Sequence, residues 1–319
     1  MKLVLFDRKQ GVEAGLLTDA GVIPFGDLQP PGDDGQSVMR KVIDTFDELR
    51  PALERLSEIG EAVPLDQVRL LPPLPRPGKI LNCIANYWEH AQRDARPINM
   101  FMKNADAVIG PGDTIELPDF DEPWCFMHEA ELAVVVKGPA KAVTEENWRD
   151  AVFGYTCAID VTARGEGRIT WKKGSWLGKS FDTFAPLGPC IVTADEIPDP
   201  NNLWVQFWNN DELRHNYNTD DMEHRVPAII AFITKVMTMN SGDVILTGTN
   251  HEGLGFLQHG ERVRMKIHGI GEMELDVVDP LRRTWERGVY MGEDSTNHEA
   301  VKRHRPEQSA TLLGSSVSS

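Results

Sequence analysis

The chain has 319 residues, of which 41% are hydrophobic and 26% charged, and this composition is typical of a folded protein with about two domains. Its formal charge of −16 disfavours nucleic-acid binding, because an acidic surface repels phosphate groups. The apolar run Leu3–Phe6 is too short for a signal peptide, and no stretch approaches the roughly 20 apolar residues of a membrane span. The sequence therefore predicts a cytoplasmic protein with no membrane and no nucleic-acid partner.

Residues 1–75 read as a small N-terminal α+β domain. Lys2–Asp7 is predicted to be a strand, and Val12–Leu17 and Gly21–Phe25 flank a polar turn that is typical of a hairpin. Ser37 is the predicted cap of a helix, because apolar residues then recur at helical spacing from Val38 to Ile59. The run Leu71–Gly78, LPPLPRPG, contains four prolines and predicts a stiff connector to the next domain, with a surface loop inside a single domain as the alternative.

Residues 76–280 are rich in short strands. Helices are expected at Glu145–Ala151 and Arg225–Met237, and so few helices between many strands argue against a doubly wound parallel sheet. A mixed, closed or rolled β-sheet fits better. Residues 281–319 form a tail of mixed charge that is expected to be partly disordered. The predicted strands are Lys79–Ile84, Thr114–Leu117, Leu132–Val136, Cys190–Thr193, Leu203–Trp208, Asp243–Thr247, Arg262–Ile267 and Glu272–Val278.

Two glutamates, Glu129 and Glu131, stand two residues apart at the start of an apolar strand. Residues i and i+2 of a strand project from the same face, so the two carboxylates would lie side by side. Their burial is costly unless a cation lies between them, whereas a solvated face needs no cation. Asp160, at the end of another apolar stretch, can complete a set of three carboxylates or simply cap a turn. Three oxygen ligands suit magnesium or manganese, with calcium as a further oxygen-binding candidate, better than zinc.

Three further segments carry side chains suited to catalysis. Lys179 stands among small and apolar residues, where a buried lysine needs an anionic partner and an exposed one does not. The run Leu246–Gly255 leads from a strand into a glycine-rich turn that can bind an oxyanion or be an ordinary turn. His90 is predicted on a short polar helix and is either a general base or a surface histidine. No zinc-protease HExxH, phosphate-binding Walker loop or G-x-S-x-G elbow occurs.

Together these segments resemble the fumarylacetoacetate hydrolase family. The motifs N-Y-x-x-H, E-x-E-L, G-Y-T-x-x-x-D-V-T-A-R, G-K-S-F-D-T-x-x-P-L-G-P and T-G-T occur in that order between Lys79 and Asp279. The resemblance implies a mostly β, mixed β-roll with the small N-terminal α+β domain in front, and it implies a homodimer. It also implies hydrolysis of a carbon–carbon bond in a 1,3-dicarbonyl acid, or decarboxylation, tautomerisation or isomerisation of a keto acid. A non-catalytic member that binds a metabolite is the alternative from another class.

By position, the resemblance identifies Glu129, Glu131 and Asp160 as metal ligands and places Lys179 beside the metal. It implies that Arg164 and Thr249 contact substrate oxygens. It also implies that His90 lies on a lid and activates water.

The sequence departs from the family pattern in the lid, in the segment after Arg164 and in the last turn. Arg93 replaces the usual lid glutamate and has no acceptor to orient His90, so we expect Asp94 to orient the histidine and Arg93 to turn outward or bind an anionic substrate group. Arg164 is followed by Gly-Glu-Gly instead of the usual Asp-x-Gln. The turn after Thr249 has no proline and one extra residue, in the run Asn250-His251-Glu252.

Overall fold

The computed structural model describes residues 1–8, 11–119, 124–165 and 177–285. This part of the chain is mostly β, and its sheets are mixed, which confirms the predicted fold class. The helices are α1 (Gly35–Asp44), α2 (Phe46–Ile59) and α3 (Val226–Val236). The strands are β1 (Lys2–Asp7), β2 (Val12–Thr18), β3 (Gly21–Pro24), β4 (Arg69–Leu71), β5 (Ile80–Cys83), β6 (Met100–Lys103), β7 (Val108–Ile109), β8 (Thr114–Glu116), β9 (Trp124–Met127), β10 (Ala130–Val136), β11 (Val152–Ile159), β12 (Thr162–Gly165), β13 (Ala185–Thr193), β14 (Trp204–Asn209), β15 (Glu212–Asn218), β16 (Val244–Leu246), β17 (Arg262–Ile267) and β18 (Gly271–Val278).

The largest sheet has eleven strands, in the order β3-β2-β1-β13-β11-β10-β16-β5-β6, with β4 paired to β1 and β7 to β13. The N-terminal hairpin enters this sheet because β1 pairs antiparallel with β13, Leu3 opposite Ile191. The residues on either side of the proline-rich connector 71–78 therefore share one sheet. The division into domains at 75 and 280 remains a prediction.

Strand β10 lies at the centre of the large sheet and contacts a different core on each face. Leu132 and Val134 pack in the core that includes Phe207 of β14. Ala133 and Val135 pack in the core that includes Met39 and other residues of α1 and α2. The second face is also the side of Glu131, so the strand positions this carboxylate by simple alternation. A five-stranded sheet, β15-β14-β17-β18-β8, contributes to the first core.

The N-terminal helical region differs from the prediction in two details. Asp34, not Ser37, is the helix cap: its carboxylate accepts a hydrogen bond from the Ser37 amide, and the Ser37 hydroxyl accepts one from the Asp34 amide. The single predicted helix is divided at Thr45, whose hydroxyl donates to the Lys41 carbonyl at 2.8 Å and competes with continued helix bonding. Hydrophobic periodicity alone does not reveal such a break, because the apolar residues of both helices pack in the same core.

The other predicted strands overlap those observed, although β13 begins five residues before the predicted Cys190. The bounds of β1 and β17 match, and the helix expected at Arg225–Met237 is α3. The helix expected at Glu145–Ala151 is reduced to a 3-10 turn at Trp148–Ala151. No helix among the described residues is long and apolar enough to cross a membrane. From residue 286 onward the predicted tail lies outside the described residues.

Candidate metal centre

Three buried carboxylates come together where β10 and β11 approach each other. Glu131 is on β10, Glu129 comes just before that strand, and Asp160 follows β11. One oxygen from each of the three carboxylates lies within 4.8 Å of the other two. The Asp160 amide also donates to the Glu129 carbonyl at 2.8 Å, which fixes the two loops against each other. The solvated alternative for the glutamate pair is therefore excluded, since all three side chains are buried.

The carboxylate cluster concentrates like charge in a desolvated site. Burial raises the pKa of Glu131 well above its usual range, and the neighbouring Asp160 and Glu129 raise it further. The amide of Gly248 donates to Glu131 Oε2 at 2.5 Å and orients that carboxylate. A buried, all-oxygen set of three carboxylates is the donor set that hard divalent cations bind, and it fits magnesium or manganese.

Lys179 lies against the cluster, as expected for a buried lysine with anionic partners. Its Nζ is 2.8 Å from Glu129 Oε2 and 2.7 Å from Asp160 Oδ2, and it donates to the hydroxyl of Thr162 at 2.6 Å. Lys179 is the last residue of the 3-10 turn Leu177–Lys179. The exposed-loop alternative for Lys179 is thus excluded.

A second lysine, Lys103, was missed by the sequence interpretation. It is buried at the end of β6, where its Nζ pairs with Asp160 and donates to the Val161 carbonyl at 3.2 Å. Burial lowers its pKa, although the Asp160 charge acts in the opposite direction. In the sequence, Lys103 ends the apolar run Met100–Lys103. This position indicates that the lysine is buried but does not identify its partner.

The two predicted substrate-contact residues occupy different positions. Thr249 is buried in the turn after β16, one residue beyond the Gly248 amide that contacts Glu131. Gly248 has φ +90°, a backbone conformation that favours glycine, and this lets the turn approach the carboxylate. Arg164 is on β12 opposite Cys125 of β9, and its side chain lies outside the described part of the structure.

His90, the predicted lid histidine, is not on a helix, contrary to the prediction. Glu89 and His90 both have positive φ, +51° and +62°, and two such residues in succession are incompatible with a right-handed helix. The His90 side chain is 84% exposed, and its Nε2 lies 3.4 Å from Glu252 Oε1. The Asp94 carboxylate is exposed and has no ion pair or hydrogen bond with His90 among the described residues. The helical spacing that suggested Asp94 as the orienting group is therefore absent.

Arg93 turns inward and pairs with Glu223, whose side chain is 1% exposed. Arg96 shares the same carboxylate through its amide and its Nε, each at 2.8 Å. Burial alone raises the pKa of Glu223, but hydrogen bonds from both arginines outweigh it and hold the pKa below its usual range. Arg93 therefore neither turns outward nor lies free for a substrate in this structure. The Glu223 contact has no sequence signal, because 127 residues separate it from Arg96.

The comparison with known proteins decides the family. The model of the fumarylacetoacetate (FAA) hydrolase C-terminal domain matches residues 79–278. The chain belongs to the fumarylacetoacetate hydrolase family. The mitochondrial oxaloacetate tautomerase of Xenopus laevis is 37% identical over 242 residues, 72% of this chain and 75% of that protein.

Solved structures of family members show the same fold. The maleylpyruvate hydrolase from Sphingobium sp. SYK-6, in complex with manganese(II) and pyruvate, is 36% identical with a TM-score of 0.78 over 88% of this chain and 99% of that one. The 5-carboxymethyl-2-hydroxymuconate delta-isomerase from Mycobacterium smegmatis is 29% identical with a TM-score of 0.69 over the same shares. Hydrolases, isomerases and tautomerases thus occur among the relatives, which confirms the prediction of an enzyme of this family.

Proposed function

We propose that the chain is a divalent-metal-dependent hydrolase that cleaves a carbon–carbon bond in a small 1,3-dicarbonyl or 2-keto acid. The observation that carries this proposal is the buried cluster of Glu129, Glu131 and Asp160 with Lys179 against it. The manganese and pyruvate in the maleylpyruvate hydrolase structure support it, since pyruvate is a 2-keto acid. The metal in this proposal is magnesium or manganese, with calcium as a further candidate.

The protein side chains have separate tasks in the proposed reaction. When bound, a divalent cation polarises a keto oxygen and so favours negative charge on it. Lys179 keeps a second positive charge at the cluster, close to where that oxyanion develops. Gly248 holds Glu131 in place, while Thr249 and Arg164 are the proposed contacts to substrate oxygens. His90 is the proposed lid histidine. The proposed roles of Asp94, which orients His90, and of Arg93, which binds an anionic substrate group, require the segment to rearrange when substrate binds.

A tautomerase, isomerase or decarboxylase acting on a keto acid is the second candidate. Two observations favour it: the Xenopus laevis relative is an oxaloacetate tautomerase, and the exposed His90 has no orienting contact from Asp94. Enolate chemistry at the metal needs no attacking water, so it does not require the hydrolytic lid. The homodimer and the cytoplasmic location stay predictions.

Metal dependence and water incorporation test the two candidates. We expect chelator to abolish turnover of an acylpyruvate and magnesium or manganese to restore it. Glu131→Gln should lose both metal affinity and turnover, because a neutral amide replaces a charged ligand, whereas Glu274→Gln on the exposed face of β18 serves as the matched control. Label from ¹⁸O-water in the carboxylate product indicates hydrolysis, and turnover of oxaloacetate without cleavage indicates tautomerisation. Full activity after complete metal removal would contradict the proposal.

A further inference from the structure

A second acid–base pair, Glu89 with His251, lies beside the lid and was not predicted. Glu89 Oε1 accepts hydrogen bonds from His251 Nδ1 at 2.5 Å and from the His251 amide at 2.8 Å. The Glu89 side chain is buried, whereas the His251 side chain is 19% exposed. Two bonds from one carboxylate to the same residue fix both the position of the backbone and the plane of the ring.

Backbone conformation and hydrogen bonds around Glu89 and around Asn250 hold this pair in place. The left-handed conformation of Glu89 turns its carboxylate inward, while His90, the next residue, points to solvent. The Glu89 amide donates to Asp221 Oδ2 at 3.2 Å, and the same oxygen accepts from Asn250 Nδ2 at 3.0 Å. Asp221 therefore ties the turn at 89 to the turn at 250. Strained backbone of this kind persists only where surrounding contacts impose it.

His251 belongs to the turn that leaves the metal cluster. Gly248, three residues earlier, donates its amide to Glu131, and three residues span at most about 11 Å between Cα atoms. Thr249, the proposed substrate contact, lies between them. This is also the turn with an extra residue relative to the family pattern, so the chain itself supplies His251 in the run Asn250-His251-Glu252.

The hydrogen bond decides which ring nitrogen of His251 can accept a proton. A carboxylate that accepts from Nδ1 keeps the hydrogen on Nδ1 and the lone pair on Nε2. Burial raises the pKa of Glu89, but its hydrogen bond from His251 outweighs this and holds the pKa below the usual value, so Glu89 is a carboxylate at neutral pH. His90 has no comparable support among the described residues, where its polar contact is the 3.4 Å approach to Glu252.

We propose that His251 is a proton-transfer residue of this site and that Glu89 is its positioning residue. This rests on the proposed function. In hydrolysis, Nε2 takes a proton from water as the water oxygen attacks the carbonyl carbon. The carbon–carbon bond then breaks, its electron pair passes to the enolate, and Nε2 returns the proton to the enolate carbon. In tautomerisation, Nε2 takes the proton from the carbon next to the keto group, the C–H electron pair forms the enolate, and Nε2 then gives that proton to the enolate oxygen to form the enol.

Nitrogen NMR of histidine-labelled protein tests the geometry without any turnover. We expect the His251 resonances, assigned with His251→Gln, to show hydrogen on Nδ1, and Glu89→Gln to abolish that preference. Addition of Mg²⁺ and oxalate, a dianion that resembles an enolate, should shift the His251 ring signals and leave those of exposed His268 in place. A hydrogen on Nε2 in the wild-type protein, or His251 signals unaffected by Mg²⁺ and oxalate, would overturn the proposal.

Hydrogen exchange at C3 of pyruvate in D₂O, with the Mg²⁺-loaded enzyme, tests the proton transfer. His251→Gln should slow exchange by about 10²–10⁴-fold. Glu89→Gln should lower kcat at least about tenfold with little change in KM, because the substrate contacts remain. His268→Gln is the matched histidine control. Exchange at the wild-type rate in His251→Gln would also overturn the assignment. A wild-type protein inactive on every keto acid would contradict the proposed function instead, and the NMR measurements would then decide the position of His251.

Discussion

Replacement of Glu223 by glutamine tests whether the Arg93–Glu223–Arg96 contact holds the segment around Arg93 and Arg96 in place. Glu223 is almost fully buried and accepts from the Arg93 guanidinium and from the amide and guanidinium of Arg96. Hydrogen bonds to a charged group contribute about 1.5–3 kcal/mol each, and loss of one partner of a buried pair costs about 3–5 kcal/mol. Both arginines are partly exposed, so water replaces some of the loss. We therefore expect a cost of about 2–3 kcal/mol, or roughly a 30- to 150-fold increase in local opening.

Hydrogen exchange at the Arg96 amide measures that opening, because this amide donates directly to Glu223 at 2.8 Å. Glu54→Gln is the matched control: its Arg50–Glu54 pair is exposed and contributes about 0–1 kcal/mol. The pKa of Glu223 lies below its ordinary value of 4.5 in the folded protein, so its contribution is present above pH 4.5 and is lost as pH falls through the folded pKa. Equal Arg96 exchange in Glu223→Gln and wild type at pH 7 would refute this reasoning.

Three other substitutions have defined outcomes. Lys179→Met should still bind Mn²⁺ in calorimetry, because the substitution removes a positive charge beside the proposed ligands. Its turnover should fall roughly 10²–10³-fold. Unchanged turnover would contradict the role of Lys179. Leu5→Ala, in the fully buried part of β1, should lower the free energy of unfolding by about 2–5 kcal/mol. Calorimetry should show one cooperative transition at a lower temperature, since β1 belongs to the large sheet. Two separate transitions would instead support independent domains. Gly248→Ala should weaken metal binding, because a side chain disfavours the φ of +90° and the added Cβ would lie only 3.2 Å from the Asn86 Cβ. Unchanged affinity would contradict this.

The carboxylate cluster could be predicted from sequence because local rules determine most of it. The alternation of a strand places Glu129 and Glu131 on one side, and an aspartate at the end of a second apolar strand completes the set. The order of motifs then indicated the family and the mostly β fold. Most of the predicted strands of the large sheet end within two residues of the observed ends, whereas β4, β6, β7 and β11 were not predicted as strands.

The parts that could not be predicted depend on contacts between distant residues. Lys103 reaches Asp160 across 57 residues, and His251 reaches Glu89 across 162. The helix expected around His90 failed for the same reason: polar residues at helical spacing favour a helix locally, but the contacts to Asp221 and Glu223 impose a left-handed turn. The spacing of residues in the sequence does not indicate such partners.

The pairing of β1 with β13 has a consequence for how the protein tolerates truncation. Without the first 75 residues, the backbone amides and carbonyls of β13 that face β1 would become an open sheet edge. The apolar side chains of Ala133 and Val135 would at the same time lose their cover from α1 and α2. Exposed edges and apolar surface together promote association between chains. We therefore expect the N-terminal segment to protect the large sheet from aggregation, although none of the three clustered carboxylates lies among its described residues.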